Sequence, residues 1–388
     1  MLTLLIFLLV LSVLVFVHEF GHFITAKRAG LRVDEFGFGF PPRVVGIQRV
    51  NGRRKIVWGN PKDFKAREGG TVYSINALPF GGFVRIKGES GEEIESGDSF
   101  AGLPAYRRVW IIAAGVLMNA LLAVVLISGG FALGFPQVIE DDISAHARIQ
   151  DRHVEVMGVL PGGPAERAGI APGARIISLN GQPLEKAEAV KNVAAEFLSQ
   201  PIRVEFQAQG QLRQAEVTPI ILEKTKAPGI GVMIADVGTV RYPLWLAVPK
   251  AVEITAVLSK TIVVAFAELI RDAVLGRPVG ADLTGPVGIA VLTGQAARQG
   301  LVNLLQFMAI LSINLAILNV LPFPALDGGR ILFILIEKLR GRPVARRVEG
   351  WVHAAGFVLL ILLVAAVSVR DVGRYGGRIV EVVKNALR

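Results

Sequence analysis

Residues 2–26 read LTLLIFLLVLSVLVFVHEFGHFITA, an apolar run with no charged residue before Glu19. A helix of this length is about 37 Å long and can cross a lipid bilayer with some tilt. A signal peptide is the alternative. It would need a basic segment before the run and a small-residue cleavage site after it, and the sequence has neither. We therefore predict a transmembrane helix over residues 1–26.

The end of this run contains the pattern His-Glu-x-x-His, at His18, Glu19 and His22. On a helix, the two histidines lie one turn apart on the same face, so both imidazoles can bind one Zn²⁺. The carboxylate beside them could accept a proton from water at the metal. The alternative is a helix whose polar residues face a bundle interior. Because ionisable residues in a span are costly and usually functional, we predict a metal site.

Two histidines need a third ligand, and two candidates stand in apolar surroundings. Asp327 follows an apolar segment in NVLPFPALDGG, residues 319–329, where prolines end a helix and glycines allow a tight turn. His353 is the rival, but it begins another apolar segment and has no partner motif. Taken alone, Asp327 could equally be a residue of a helix-ending turn.

The composition indicates a membrane protein. Of 388 residues, 52% are hydrophobic and 19% are charged, against about 25% charged in an ordinary globular domain. Cys is absent, which excludes thiolate ligands and a Cys nucleophile. Further uncharged runs predict spans over 107–135, 300–328 and 351–369. Charges at helical spacing interrupt residues 242–276, which predicts an amphipathic helix on the membrane surface.

Basic residues are unevenly divided among the loops. Residues 23–108 hold 15 Lys and Arg against 9 Asp and Glu, whereas residues 136–298 hold 16 against 17. Because short basic loops stay in the cytoplasm, we expect the first loop inside and the second outside. The first and third spans then run in the same direction, which lets Asp327 meet the two histidines. The net charge of +10 therefore reflects topology, and no nucleic acid partner is expected.

Two turn signals in the cytoplasmic loop predict β-hairpins. Asn51-Gly52 lies between the strand-like segments 43–50 and 53–58, and Pro79-Phe80-Gly81-Gly82 lies between segments 71–78 and 83–87. These hairpins could form a small sheet with its own core, or one of them could dip toward the membrane and offer a strand edge. Residues 89–98 are acidic and rich in Gly and Ser, which predicts a flexible loop.

The outer loop contains a compact α+β domain, predicted over residues 146–236. It carries P-x-x-P-A-x-x-A-G from Pro161 and G-x-x-I-x-x-x-N-G from Gly173. This pattern resembles a bacterial PDZ domain. PDZ domains bind extended peptides or C-termini by strand addition, so a peptide partner is expected here.

Taken together, the motifs resemble the site-2 protease family of intramembrane metalloproteases over nearly the whole chain. The sequence looks most like the bacterial branch that includes the regulator-of-sigma-E protease, whose best-known enterobacterial members have two PDZ domains where this chain has one. The matching motifs are HEFGH at 18–22, GVLMN at 115–119, GPVGIA at 285–290 and NVLPFPALDG at 319–328.

The resemblance implies an intramembrane zinc metalloprotease of the bacterial cytoplasmic membrane. Such an enzyme cuts membrane-protein substrates within or near their transmembrane segments, as in regulated intramembrane proteolysis of an anti-sigma factor or removal of remnant signal peptides. The resemblance implies that Glu19 is the catalytic base and that His18, His22 and Asp327 are the ligands of Zn²⁺. It also implies five substrate-binding residues. Asn119 and Asn319 would line a cleft, and Gly82, Phe83 and Val84 would lie in a strand that pairs with the substrate.

The predicted fold is an α-helical polytopic membrane protein with four transmembrane helices, a cytoplasmic-side β-hairpin region and an inserted extracytoplasmic α+β PDZ domain. The predicted segments are 1–26, 27–106, 107–135, 146–236, 242–276, 300–328 and 351–369.

Two other functions compete with the protease. One is a membrane-anchored PDZ scaffold with an inactive or structural metal site, but a structural zinc has four protein ligands and only three are visible. The other is an ion transporter, which predicts inverted repeats that the sequence lacks.

Overall fold

The computed structural model describes residues 2–59, 69–89, 97–139, 143–144, 146–208, 210–223, 225–277 and 284–386. The chain divides into two compact units, one of Met1–Ser128 with Val248–Arg388 and one of Gly129–Ala247. Most of the predicted flexible loop over 89–98 lies outside the described residues.

The secondary structure alternates long helices with two sheet regions. The helices of the described part are α1 (Leu2–Arg28), α2 (Ala105–Leu133), α3 (Pro164–Arg167), α4 (Ala187–Glu196), α5 (Leu244–Val274), α6 (Pro286–Gln299), α7 (Leu301–Val320), α8 (Asp327–Arg340) and α9 (Arg346–Ala386). The strands are β1 (Val33–Val50), β2 (Arg53–Trp58), β3 (Val72–Ile86), β4 (Phe135–Val138), β5 (Arg148–Val159), β6 (Arg175–Leu179), β7 (Gln182–Pro183), β8 (Ile202–Ala208), β9 (Gln211–Val217), β10 (Ile220–Ile221), β11 (Pro228–Gly229) and β12 (Val232–Arg241).

Four of these helices are long and apolar enough to cross a membrane: α1, α2, α7 and the part of α9 up to Arg374. By length and composition they confirm the four predicted spans, and the chain is a membrane protein. The helix α7 ends at Val320, short of the predicted end at 328, because two prolines follow. The segment 242–276 forms the helix α5 and is not among the four, and its surface position stays a prediction.

The helix α1 carries its metal motif on the face that packs inside the protein. Val10, Leu14, His18 and His22 are buried and follow one another at intervals of four residues, so they share one side of the helix. Leu9, on another side, is 60% exposed, as expected for a residue that contacts lipid. Burial of this face therefore carries both histidines toward neighbouring elements.

The small sheet has the strand order β2-β1-β3 and differs in part from the predicted hairpins. The hairpin at Asn51-Gly52 is confirmed, and both turn residues have a positive φ, 49° and 78°. The prediction of a second hairpin is wrong. The segment forms one strand, β3, which bends near Gly81, where φ is +80°. Its two halves pair with β1, Val84 opposite Phe36 and Tyr73 opposite Ile47, instead of with each other.

The bend of β3 lies against the middle of α1. Ser12 donates a hydrogen bond to the carbonyl oxygen of Pro79 at 2.7 Å and accepts one from the Gly81 N–H at 3.2 Å. Because Ser12 lies six residues before His18 inside the apolar run, this contact favours the alternative in which the β-region dips toward the membrane. Exposed apolar side chains near the bend, among them Phe40 and Phe80 at 43%, agree with that placement.

Two helices beside the spans were not predicted. The helix α6 begins in the GPVGIA motif, and its Gly288 N–H donates to the buried carboxylate of Asp371 on α9 at 2.7 Å. The helix α8 begins at Asp327 itself. Its first residues therefore place the candidate ligand at the helix N-terminus, directly after the irregular segment 321–326.

The second unit contains an antiparallel sheet in the order β4-β12-β5-β6-β8-β9, with β7 beside β6. The helices α3 and α4 complete the predicted α+β composition. The sheet extends beyond the predicted range 146–236, because β4 begins at Phe135 and pairs with β12, which continues to Arg241. Its fully buried core residues include Val156, Ile176, Val204, Phe206 and Ile230.

Candidate metal centre and active site

Three of the predicted site residues converge at one point of the first unit. The Nε2 atoms of His18 and His22 are 3.2 Å apart, and Oδ2 of Asp327 lies 3.0 Å from the first and 3.3 Å from the second. Both histidines are buried and the aspartate is half-buried. Among the described residues this is the group of His, Asp and Glu side chains that could hold a metal ion.

The donor set fits Zn²⁺. Zinc bonds of about 2.0–2.1 Å in a tetrahedron separate neighbouring donors by about 3.3–3.4 Å, close to the three distances above. Within the described part of the chain, Oδ2 of Asp327 is a buried oxygen without a hydrogen-bond partner, and such an atom is normally satisfied by a hydrogen bond or an ion. Two imidazoles and one carboxylate also leave a fourth position open, the pattern of catalytic zinc sites.

Residues of the helix α2 contact the Nδ1 atoms of both imidazoles, on the side away from the other donors. Nδ1 of His22 donates to the carbonyl oxygen of Ile111 at 2.9 Å, which leaves Nε2 as the metal-facing atom. Nδ1 of His18 lies 3.3 Å from the side-chain nitrogen of Asn119. With Nε2 of His18 facing the metal position, Nδ1 carries the proton and needs an acceptor. We therefore assign the amide with Oδ1 toward Nδ1, since amide orientation is assigned from the hydrogen-bond network. In the described structure Oδ1 otherwise has no partner.

The resemblance implied that Asn119 lines a substrate cleft, and this role stays a prediction. In the structure its side chain is fully buried against His18. Its backbone carbonyl also accepts a hydrogen bond from Ser312 on α7 at 2.7 Å, so it connects two spans next to the metal site. Asn319 is different: it is half-buried, and its Nδ2 lies 3.5 Å from the metal-facing Nε2 of His18.

Glu19 is beside the donor set and is held by the strand β3. Its Oε2 accepts a hydrogen bond from the Val84 N–H at 3.1 Å. Val84 is opposite Phe36 in the ladder with β1. A strand N–H faces either its ladder partner or the opposite side, so donation to Glu19 means that this N–H points away from β1. Gly82 and Phe83, the other predicted strand residues, also pair with β1, opposite Phe38 and Gly37. Of the three strand residues, Val84 is the one with a described hydrogen bond to the metal motif.

Gly115 contributes to the site by having no side chain. A methyl group added there would come within 2.5 Å of His22 Nε2 and 2.8 Å of His18 Cε1. Gly115 and Asn119 are one helical turn apart on α2, so both face the imidazoles. The sequence contained the signal, a Gly-x-x-x-Asn pattern in a span, but the pattern alone did not say what the glycine contacts.

Gly115→Ala is expected to weaken zinc binding, because the new methyl group would displace one or both imidazoles. Gly129→Ala is the matched control, since it lies on the same helix and a methyl group there meets no described atom within 4 Å. Competition with a zinc chelator measures the effect on the purified proteins. Equal zinc affinity in the two variants would contradict the close contact.

The comparisons with known proteins point to zinc metalloproteases. The model of peptidase family M50 matches residues 6–363. Zinc metalloprotease RasP of Geobacillus kaustophilus is 31% identical, with 95% of this chain and 97% of that protein covered. Regulator of sigma-W protease RasP of Bacillus subtilis is 28% identical, with 96% and 98% covered.

Solved structures of PDZ domains are also similar to part of this chain. One of them is the PDZ domain of an SdrC-like protein from Listeria monocytogenes, 18% identical over 22% of this chain and 92% of that one, with a TM-score of 0.21. The family match confirms the resemblance to site-2 proteases. This chain belongs to peptidase family M50.

Proposed function

We propose that this zinc metalloprotease hydrolyses peptide bonds within or next to the transmembrane segments of membrane-protein substrates. The observation that carries the proposal is the location of the donor set. Two of its members lie inside an apolar helix that can cross a membrane, and the third begins a helix directly after another such span. A scaffold with an inactive site is disfavoured, because a half-buried carboxylate, Glu19, lies beside an incomplete ligand set.

The proposed hydrolysis assigns a role to the three zinc ligands, to Glu19 and to the Val84 N–H. Zinc, when bound by His18, His22 and Asp327, supplies the Lewis-acid chemistry that makes water nucleophilic and polarises a carbonyl. Glu19 accepts the proton of the attacking water and returns it to the leaving amine. The Val84 N–H holds one oxygen of that carboxylate, which leaves the other oxygen for the proton.

The substrate is proposed to bind as an added strand along the second half of β3. The Val84 N–H points away from β1 toward Glu19, so a chain lying along this edge would bring its backbone to the catalytic carboxylate. Asn319 lies near the metal-facing side of His18, where its amide could donate to the substrate backbone. The proposed substrate class is the one that the resemblance implied, an anti-sigma factor or a remnant signal peptide, and a relative named as a regulator of sigma-W supports the first of these.

The proposal is tested with the purified chain in proteoliposomes and peptides that contain one transmembrane segment. Mass spectrometry of the products should place the cut within or beside the apolar segment, and a zinc chelator should abolish it. A cut confined to water-soluble peptides, with no cleavage of inserted ones, would contradict intramembrane proteolysis.

The sidedness of the chain follows from the loop charges. We propose that the protein lies in the bacterial cytoplasmic membrane with the second unit outside and the residues between α1 and α2 inside. The second unit, as a PDZ domain, is proposed to bind an extended peptide or a C-terminus. Binding there would select or gate substrates, since none of the three candidate zinc ligands lies in it.

Single cysteines should report this topology, because the natural chain has none. Residues 324–350 hold 6 Lys and Arg against 3 Asp and Glu, so this loop is also proposed to lie inside. Gln214, on β9 in the second unit, and Arg342, in this inner loop, are both exposed. In intact spheroplasts a membrane-impermeant thiol reagent is expected to modify the Gln214→Cys variant. It is expected to modify the Arg342→Cys variant only after the membrane has been permeabilised. The reverse pattern would overturn the proposed orientation.

A further inference from the structure

The ligand Asp327 depends on an irregular segment for its position. The other two ligands lie on α1, whose helical hydrogen bonds fix their spacing. Asp327 instead follows residues 321–326, where the chain leaves α7 and turns into α8. Within this segment Ala325 has a φ of +78°, a left-handed conformation that an alanine rarely adopts and that surrounding contacts must hold.

The helix α9 supplies those contacts. The Ala325 N–H donates a hydrogen bond to Nδ1 of His353 at 2.9 Å. Three residues further on, Gly356 lies against the same segment, and a methyl group there would come within 2.7 Å of the Pro324 carbonyl oxygen. His353 and Gly356 share one face of α9 because of their spacing. That face therefore packs on the segment immediately before the ligand.

A second helix also contacts the imidazole. The ring of Phe333, on α8, lies 5.4 Å from the ring of His353 at an interplanar angle of 40°. Since Asp327 is the first residue of α8, His353 contacts both the segment before the ligand and the helix after it. His353 was the alternative candidate for the third ligand. It lies outside the described donor cluster and accepts a hydrogen bond from the backbone of the segment before Asp327.

We propose that His353 is a positioning residue for the metal site: by holding Ala325 in its left-handed conformation, it sets the Asp327 carboxylate against the two histidines. The inference rests on the proposed role of Asp327 as a zinc ligand. The alternative is that His353 only stabilises the packing of α9. The two differ in what they predict for zinc affinity, as opposed to the stability of the metal-free protein.

The test compares two substitutions in the full-length protein in detergent. Asn places a carbonyl oxygen where His353 has Nδ1, so His353→Asn can still accept the Ala325 N–H, whereas His353→Leu cannot. Chelator competition is expected to show a zinc affinity about 10- to 100-fold weaker for His353→Leu, the usual loss for a residue that orients a ligand. The His353→Asn variant should retain most of the affinity, and the metal-free variants should melt at similar temperatures.

Cobalt substitution gives a readout independent of activity. The visible absorption of bound Co²⁺ reports the ligand geometry and is expected to change in His353→Leu but not in His353→Asn. In Gly356→Ala the new methyl group would press against Pro324 from the same face of α9, so this variant should also bind zinc more weakly. It tests the positioning role if His353→Leu does not fold. Unchanged zinc affinity and cobalt spectrum in His353→Leu, or equal losses in the Leu and Asn variants, would overturn the inference.

Asp327→Asn is measured alongside to separate this inference from its premise. Weaker zinc binding in that variant together with unchanged binding in His353→Leu would contradict the positioning role alone. Unchanged zinc affinity in Asp327→Asn would instead overturn the ligand assignment on which the inference rests.

Discussion

Glu19→Gln is expected to reduce peptide cleavage by about 10²- to 10⁴-fold, the usual loss for a general base, while zinc stays bound. Glu19 is not one of the three converging donors, so its replacement leaves the ligand set intact. The glutamine carbonyl oxygen can still accept the Val84 N–H that Glu19 accepts at 3.1 Å, but it cannot take a proton from water. Cleavage of a single-span peptide and zinc content are measured on the same reconstituted samples.

Glu188→Gln is the control for this substitution, because Glu188 is exposed on α4 in the second unit. It should cleave at the normal rate. If Glu19 served only to orient a histidine, the loss in Glu19→Gln would appear as weaker zinc binding and would be recovered at high zinc concentration. Cleavage by Glu19→Gln at close to the normal rate would show that the base lies elsewhere.

The parts of this site that depend on local spacing could be predicted from the sequence. His18 and His22 are four residues apart, and a helix brings residues at that interval to one face whatever surrounds them. The turn at Asn51-Gly52 is similarly local, because both residues readily adopt the positive φ that the turn requires. Asp327 is far from α1 in the chain, so its prediction also needed the loop charges, which indicate that the first and third spans run in the same direction.

The parts that depend on tertiary contacts could not be predicted. Pro79-Phe80-Gly81-Gly82 has the composition of a hairpin turn, but whether such a glycine reverses a strand or only bends it depends on the partner strand, here β1. Asn119 was placed in a cleft by analogy, and its burial against His18 follows from the packing of α2 on α1. The bond from the Val84 backbone to Glu19 leaves no trace in side-chain identity.

His22→Ala is expected to remove the metal, whereas the natural protein should bind one zinc per chain. The variant leaves two donors, His18 Nε2 and Asp327 Oδ2, which are 3.0 Å apart, and catalytic zinc sites in proteins have three. Metal content after dialysis against a weak chelator is the measurement, and it requires no substrate. His153→Ala is the control, because His153 lies in the second unit outside the donor cluster.

The size of the loss should follow the distance of each group from the metal position. His22→Ala deletes a donor atom and should lose nearly all zinc. Asp327→Asn keeps an oxygen but removes its negative charge, so it should bind zinc more weakly without losing it completely. Asn119→Ala deletes a group that contacts the back of His18 at 3.3 Å, and about 10- to 100-fold weaker binding is expected. Full zinc occupancy in His22→Ala, or a larger loss in Asn119→Ala than in His22→Ala, would show that these side chains do not form the metal site.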